Sequence, residues 1–236
     1  MEAITETIQL NELLIPVTRS GRRQSVGITV ERDGSVAVSA PIDCQFAKIE
    51  EYVRSKSLWI YQKLAKRDEL VSDQPVKKEF VDGSSFSYLG QAYRLKLVEQ
   101  PTEVLSLVGD RFLMCREHVG QAAEVFRKWY VSRGREIVDR LIENWVPRIA
   151  SPTAIDIRDI GYRWGSCTPD GKILVSWRAI QLPPDIVEYI VAHEMAHLKH
   201  PNHDEEFWCL LEKVMPDFAD RKNWLAKNGQ SYAAEF

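Results

Sequence analysis

Four of the five histidines of the chain lie within eleven consecutive residues, and this cluster constrains the fold more than any other feature. Its members are His193, His197, His200 and His203. In the preceding segment, Ile186 and Ile190 recur at helical spacing, and Pro183-Pro184 places a proline at the favoured first position of a helix. We therefore predict a helix that carries the cluster and ends near Pro201, because the residue before a proline avoids the helical conformation.

Two of these histidines, together with Glu194, form a His-Glu-x-x-His pattern on the predicted helix. His193 and His197 are four residues apart, so they project from the same helix face about one turn apart. Two imidazoles in this arrangement can bind one zinc ion at about 2.0–2.1 Å each. Glu194 lies beside them and can take a proton from an attacking water. A helix with four histidines and no metal is the less favoured interpretation.

A catalytic zinc site needs a third protein ligand and leaves one position open. His200 lies seven residues after His193, or roughly 10.5 Å along a straight helix, and is poorly placed to share the metal. His203 follows Pro201-Asn202, where the chain has turned and can fold back on the site. We predict that His203 is the third ligand and that His200 lies either behind the metal ligands or on the protein surface. The spacing leaves open three alternatives, namely Asp204, Glu206 and His200.

Composition limits the class of protein to which the chain belongs. Of its 236 residues, 44% are apolar and 28% are charged, as in a globular protein of one large or two small domains. The net charge of −3 gives no support for nucleic-acid or membrane-surface binding driven by bulk charge. We expect no membrane span, since no apolar run reaches about 18 residues. Four scattered cysteines and the absence of a signal-peptide pattern favour a cytoplasmic protein with reduced thiols.

The periodicity of the first half predicts one part of an α+β fold. We predict that residues 1–118 form a β-rich region with one long helix over 46–70, and that Asp33-Gly34 is a hairpin turn. The predicted extended segments are residues 8–17, 25–30, 35–38, 86–89, 93–97, 104–108 and 111–115.

The second half, residues 119–236, is predicted to be the metal-binding catalytic domain. It begins with a long amphipathic helix over 122–145, which Pro147 ends. Two strands, over 155–157 and 173–177, flank a loop over 161–171. Two further helices, over 204–214 and 217–227, follow the histidine cluster.

Several residues outside the cluster are candidates for substrate binding. Arg19, Arg22 and Arg23 can grip an anion because arginine forks match phosphate and carboxylate, although a solvated basic strand edge explains them as well. Trp164 and Ser166 are candidates in the loop before the strand Lys172 to Trp177. That strand is predicted as an edge strand that could hold a peptide by main-chain pairing.

Longer motifs extend the pattern and resemble a known family. In the second half they are Arg163 to Cys167, Pro183-Pro184, His193 to His203, Phe207-Trp208, Val214 to Asp217 and Trp224-Leu225. In the first half they are Arg19 to Arg23, Asp33-Gly34, Ala40-Pro41, Trp59-Ile60 and Tyr88 to Gly90. Together they resemble the YgjP-like zinc metallopeptidase family, which is related to the WLM and SprT groups. The resemblance covers nearly the whole chain. The chain departs from the family at Val175-Ser176, where members often have Leu-Asn, and at Asp204-Glu205, where Ser-Pro or Ser-Lys is common.

The resemblance implies a zincin-like domain after a β-rich N-terminal part. It also implies zinc bound by His193, His197 and His203, with Glu194 as general base. The implied substrate is a peptide or protein, but some members are described as metal-dependent pyrophosphatases of uridine triphosphate. Zinc with a general base can hydrolyse either an amide or a phosphoanhydride. A third interpretation is a non-catalytic, metal-stabilised binding module, which Glu194 argues against because a structural zinc usually has four protein ligands and needs no base.

Overall fold

The computed structural model describes residues 6–21, 23–30, 35–70, 78–99, 101–161 and 163–232, without the side chains of residues 62, 65–70 and 230. Within these residues the chain forms three small sheets and six α-helices, so the predicted mixed α+β class is confirmed. The chain divides into two compact units, Met1–Gln74 and Pro75–Phe236. None of the described helices combines the length and the apolar character that a membrane span requires.

The first unit is a four-stranded sheet with two helices. Its elements are β1 (Glu6–Leu10), β2 (Leu13–Ser20), β3 (Gly27–Val30), β4 (Val36–Pro41), α1 (Phe46–Ser55) and α2 (Ser57–Leu70). The strand order is β1-β2-β4-β3, and the inner strands β2 and β4 are parallel. Alternate strand residues such as Ile15 and Val38 are buried in one core with Ile49 and Ile60 of the helices, because successive strand side chains point to opposite faces.

The first unit differs from the sequence prediction because one predicted strand and one predicted helix are each interrupted. The segment 8–17 is not one strand but the hairpin of β1 and β2, and Asn11 in its turn has a φ of 52°, which asparagine tolerates better than most residues. The helix over 46–70 is interrupted at Lys56, where α1 ends. The predicted turn Asp33-Gly34 lies outside the described residues, and the strands on either side of it, β3 and β4, pair antiparallel.

The second unit begins with another four-stranded sheet. Its strands are β5 (Ser85–Tyr88), β6 (Gln91–Val98), β7 (Leu105–Val108) and β8 (Arg111–Cys115). The order β5-β6-β8-β7, with β6 and β8 parallel, repeats the topology of the first sheet. Helix α3 (Ala122–Trp145), which the sequence predicts at the same bounds, packs on this sheet through aromatic rings. The ring centroids of Phe86 and Phe126 lie 4.2 Å apart, and those of Phe112 and Trp129 lie 4.9 Å apart.

A three-stranded sheet and three helices complete the second unit. The strands are β9 (Ala154–Arg158), β10 (Gly165–Cys167) and β11 (Lys172–Ser176), and the helices are α4 (Pro184–Ala196), α5 (Glu205–Val214) and α6 (Phe218–Tyr232). Helix α4 ends at Ala196, earlier than the predicted end near Pro201, and turns follow it.

The order of this sheet, β10-β11-β9, corrects one prediction. Strand β11 pairs antiparallel with β10 and parallel with β9, so both of its edges are used. The prediction that Lys172 to Trp177 forms an edge strand is therefore wrong. The edge strands are β9 and β10, and β10 lies within the segment 161–171, for which the sequence predicts a loop.

A hairpin turn of the first sheet of this unit contacts the segment that leads into α4. The backbone N–H groups of Leu89 and Gly90 donate to the carbonyls of Ile180 and Gln181 at 3.0 and 3.1 Å. Gly90 has a φ of 78°, and a Cβ at this position would lie 3.0 Å from the Cα of Pro183. Only glycine fits both the left-handed conformation and this close approach. The turn thus fixes the start of the helix that carries the histidines.

One continuous core links the elements of the second unit. Phe112 of β8, Phe126 of α3, Val175 of β11 and Ile190 of α4 belong to the same cluster of buried residues. Packing therefore divides the chain after Gln74, whereas the sequence pattern predicts a boundary after residue 118. The predicted bounds of the catalytic domain, 119–236, stay a prediction.

Candidate metal centre

Three histidines converge at the C-terminal end of α4. His193 lies in its last turn, His197 caps it, and His203 lies on the segment between α4 and α5. The centroids of the three rings are 4.6–5.1 Å apart. The Nε2 atoms of His193 and His203 are separated by 3.0 Å, and one ring nitrogen of each histidine lies within 4.8 Å of the others. The structure therefore brings together the three residues that the sequence predicts as ligands.

The spacing of these nitrogens fits a shared metal ion. Two nitrogens bound to zinc at about 2.0–2.1 Å in a tetrahedral site lie about 3.3 Å apart, close to the observed 3.0 Å. Neutral imidazole is the required ligand form, and burial, followed by the neighbouring His197 and His203, lowers the pKa of His193 to about 3. Burial likewise lowers the pKa of His203. The triad could therefore hold a metal ion.

Hydrogen bonds orient two of the rings from the side opposite the cluster. Nδ1 of His197 lies 3.0 Å from the backbone carbonyl oxygen of His200, and Nδ1 of His193 lies 3.5 Å from the hydroxyl of Tyr189. When Nδ1 is engaged in this way, Nε2 is left for a metal. The side chain of His200 turns to Glu206 instead, with 3.5 Å between Nδ1 and Oε2. His200 thus contributes its backbone and not its ring.

A buried phenylalanine supports all three rings. Phe207 on α5 is fully buried, and its ring centroid lies 5.0, 4.6 and 4.8 Å from those of His193, His197 and His203. Its backbone N–H donates to Oδ1 of Asp204 at 3.0 Å, so Asp204 is the N-cap of α5. The carboxylate of Asp204, an alternative third ligand in the sequence analysis, is therefore engaged at the helix terminus.

The side chain of Glu194 extends from α4 toward the edge strand β10. The residue is 8% exposed, and burial raises the pKa of its carboxyl to about 8, while Arg163 and a hydrogen bond from the Cys167 backbone N–H act in the opposite direction. A Cβ at Gly165 would lie 2.5 Å from Cγ and 2.7 Å from Oε1 of Glu194. Glycine at this position is what allows the strand and the carboxylate to approach so closely.

A cavity of about 610 Å³ opens over the histidines and Glu194. Besides these four residues, it is lined by Gly165, Ser166, Cys167, Thr168, Pro169, Gly171, Leu198 and Pro201. Ser166, predicted to bind substrate, is among the lining residues. Trp164, the other candidate from the same segment, is not: its indole packs toward Gly229 of α6, where a Cβ would lie 3.0 Å from Cζ2.

The arginine candidates belong to the first unit. Arg19 donates through Nη1 to the carbonyls of Pro41, Ile42 and Cys44, and through Nε and Nη2 to Glu6. This pattern fastens the ends of β1, β2 and β4 and gives Arg19 a structural role. Arg23 is exposed, and its Nη1 would lie 2.5 Å from a Cβ at Gly27. Arg22 lies outside the described residues.

Comparison with known proteins gives the family. The profile of the family described as "YgjP-like, metallopeptidase domain" matches residues 24–228, which is most of the chain. The chain belongs to the YgjP-like family. The resemblance found in the sequence is thereby confirmed, and the triad and Glu194 lie within the matched YgjP-like residues.

Other comparisons add little to this assignment. The crystal structure of the metallopeptidase zymogen of Pyrococcus abyssi abylysin is 25% identical to this YgjP-like chain over 36% of it and 89% of that protein, with a TM-score of 0.34. A search of curated proteins found no significant match.

Sequence reasoning missed several residues of this centre. Tyr189 could have been found from its spacing of four residues before His193, which places both on one face of α4. No sequence pattern marks the backbone carbonyl of His200, because every residue has a backbone carbonyl. Phe207 has the sequence pattern of an apolar residue on a helix, and its contact with all three histidine rings depends on the fold. Gly165 carries the weak signal of a glycine in a strand, which often marks close backbone approach.

Proposed function

We propose that the chain is a zinc-dependent peptidase with a zincin-like catalytic domain. The observation that carries this proposal is the convergence of His193, His197 and His203 within 4.8 Å, beside a buried carboxylate in one cavity. Three imidazole ligands with one open position are typical of catalytic zinc, whereas structural zinc usually has four protein ligands. Membership in a metallopeptidase family supports the same reaction class.

In this proposal the side chains divide the chemistry among them. Zinc, when bound, acts as a Lewis acid that polarises the scissile carbonyl and acidifies the attacking water. The three histidines would hold the zinc, and the hydrogen bonds at Nδ1 of His193 and His197 fix the orientation of these two rings. Glu194 takes a proton from the attacking water and delivers it to the leaving amine. The Cys167 N–H and the close approach of Gly165 keep the carboxylate of Glu194 in place.

Strand β10 offers a place for the substrate main chain. The backbone of Trp164 is hydrogen-bonded to that of Ser176, and the backbone of Thr168 to that of Lys172. In an antiparallel pair of strands, hydrogen-bonded and non-hydrogen-bonded residue pairs alternate. The backbone N–H and C=O groups of Gly165 and the C=O of Cys167 therefore point to the outer edge of the sheet, where the Cys167 N–H already binds Glu194. An extended peptide can add a strand at such an edge. We place the substrate there, with Ser166 in the lining of the same cavity.

The cavity favours a peptide over a nucleotide. None of its described lining residues is lysine or arginine, and Glu194 contributes a carboxylate. Apart from a bound metal ion, arginine and lysine side chains are the groups that usually recognise the phosphates of a nucleotide. Arg19, a candidate for binding an anionic substrate, is bonded to Glu6 and to backbone carbonyls. Leu198 and Pro201 instead give the cavity an apolar wall suited to an uncharged side chain.

A side-by-side assay tests this choice of substrate. The full-length protein with zinc is incubated with a peptide library and, separately, with nucleoside triphosphates. We expect cleavage of peptides, preferably beside uncharged residues, and no release of pyrophosphate or phosphate, with all cleavage lost after chelation. Chelator-sensitive hydrolysis of a nucleotide without peptide cleavage would contradict the proposal and support the pyrophosphatase alternative.

Replacing Gly165 with alanine tests the position of Glu194. The new Cβ would lie 2.5–2.9 Å from three atoms of the Glu194 side chain, which must move away from β10. Misplacement of a catalytic group by about 1 Å can cost about 10²-fold in rate. We expect peptide turnover to fall by that order while zinc affinity stays at the wild-type value, since no histidine is touched.

Gly120→Ala is the matched control for this substitution. A Cβ at Gly120 meets no atom within 4 Å, so its turnover should equal that of the wild type. If Gly165→Ala also cleaves peptides at the wild-type rate, the carboxylate does not depend on this contact and the assigned role of Gly165 is wrong.

A further inference from the structure

The third histidine of the triad lies on an exposed part of the chain. Every residue from Pro201 to Glu206 is exposed, whereas His193 and His197 belong to a packed helix. A side chain that rotates freely loses that freedom when it binds a metal, and the loss weakens binding. A strong site at this position therefore requires contacts that hold the ring of His203 beforehand.

Trp208 makes such contacts in two ways. Its ring stacks on the imidazole of His203, with centroids 5.4 Å apart and planes inclined by 26°. Its indole Nε1–H also donates to the backbone carbonyl of His203 at 3.2 Å. One side chain thus holds both the ring plane and the main chain of His203.

Helix α6 in turn holds Trp208. The ring of Phe218 stacks on the indole with centroids 5.6 Å apart and planes inclined by 22°. The Nζ atom of Lys222 lies 4.0 Å from the indole centroid, which is a favourable cation–π distance. Phe218 and Lys222 are four residues apart, so one face of α6 provides both contacts. The third histidine is thereby connected to a helix that contributes no ligand of its own.

We propose that Trp208 is a positioning residue of the metal centre. Its indole keeps His203 in the orientation that binds the metal, and α6 keeps the indole in place. Trp208 is not among the described residues that line the cavity, so this role is separate from substrate contact. The inference rests on the proposed function only in taking His203 as a metal ligand.

The expected effect is on metal affinity. Loss of an outer partner of a metal ligand typically costs about 10–100-fold in affinity, and we expect Trp208→Ala to weaken zinc binding within that range. Trp208→Phe keeps a ring for stacking but lacks the indole N–H, so its loss should be smaller. The dissociation constants are measured by competition with a chromophoric chelator on the full-length protein, and each variant is checked for folding by circular dichroism.

Trp224→Ala is the matched control, because it truncates a tryptophan of α6 that packs against Tyr232 instead of a histidine. It should lower the melting temperature and leave zinc affinity unchanged. Wild-type zinc affinity in Trp208→Ala, with a melting temperature lowered as in Trp224→Ala, would overturn the positioning role. If Trp208→Ala does not fold, unchanged affinity in Trp208→Phe overturns it. Should His203→Ala also bind zinc like the wild type, it is the ligand assignment of the proposed function that fails.

Discussion

Glu194→Gln is expected to slow peptide hydrolysis by orders of magnitude while the protein still binds its metal. Glutamine has nearly the same shape as glutamate and can still accept the hydrogen bond from the Cys167 N–H, but it cannot take a proton from water. General acid–base catalysis typically contributes about 10²–10⁴-fold, and turnover should fall by that factor. The measurement pairs the cleavage rate of a peptide substrate with the zinc content of the same sample.

The matched control for this variant is Glu206→Gln. It removes a carboxylate of the same size from an exposed position on α5 that is not among the described lining residues of the cavity. Zinc content and turnover should both match the wild type. Turnover in Glu194→Gln within about threefold of the wild type, a difference of less than 1 kcal/mol in barrier, would show that Glu194 is not the base.

His203→Ala is expected to have the second-largest effect, the loss of the metal. Removing an outer partner of a ligand already costs about 10–100-fold in affinity, so removing a ligand should weaken zinc binding by more than about 100-fold. His200→Ala should bind zinc like the wild type, because the backbone carbonyl that contacts His197 remains. Both dissociation constants are measured by chelator competition.

The opposite outcome would identify a different ligand set. If His200→Ala lost zinc and His203→Ala kept it, the fold of the segment after α4 would differ from the one described. Loss of zinc in Glu206→Gln would likewise favour a carboxylate as third ligand. The 3.0 Å between Nε2 of His193 and Nε2 of His203 is the observation that makes His203 the expected ligand.

Much of the centre could be predicted from sequence because its parts are close along the chain. His193, Glu194 and His197 lie within one helical turn, whose geometry is the same in every helix. His203 is only six residues further on, and Pro201 guarantees that the chain has left the helix by then. Periodicity gave the bounds of α3 for a similar reason, since its pattern extends over 24 residues.

The parts that sequence did not predict depend on residues far apart in the chain. Whether β11 is an edge or an inner strand is decided by its pairing with β9 and β10, and a three-residue strand such as Gly165–Cys167 has too little periodicity to recognise. Arg19 is a residue type that binds anions, but its partners Glu6 and Cys44 lie 13 and 25 residues away in the sequence. A charged residue at a strand end reveals nothing about which carbonyls it will reach.

The predicted division of the chain after residue 118 also rests on local patterns. The strands before residue 118 look like a continuation of a β-rich N-terminal region, since alternation is a local property. The aromatic contacts of Phe86 and Phe112 with Phe126 show that these strands share a core with α3. Composition does not distinguish two sheets of identical topology that belong to different units.

Hydrolysis by this protein is expected to require the metal held by His193, His197 and His203. The most direct test measures peptide cleavage by the full-length protein after removal of metal with a chelator and during stepwise return of zinc. We predict no cleavage by the stripped protein and a rise to a plateau at about one zinc per chain, as for a single catalytic site. Cleavage that persists in the stripped protein, or that zinc does not restore, would contradict the account.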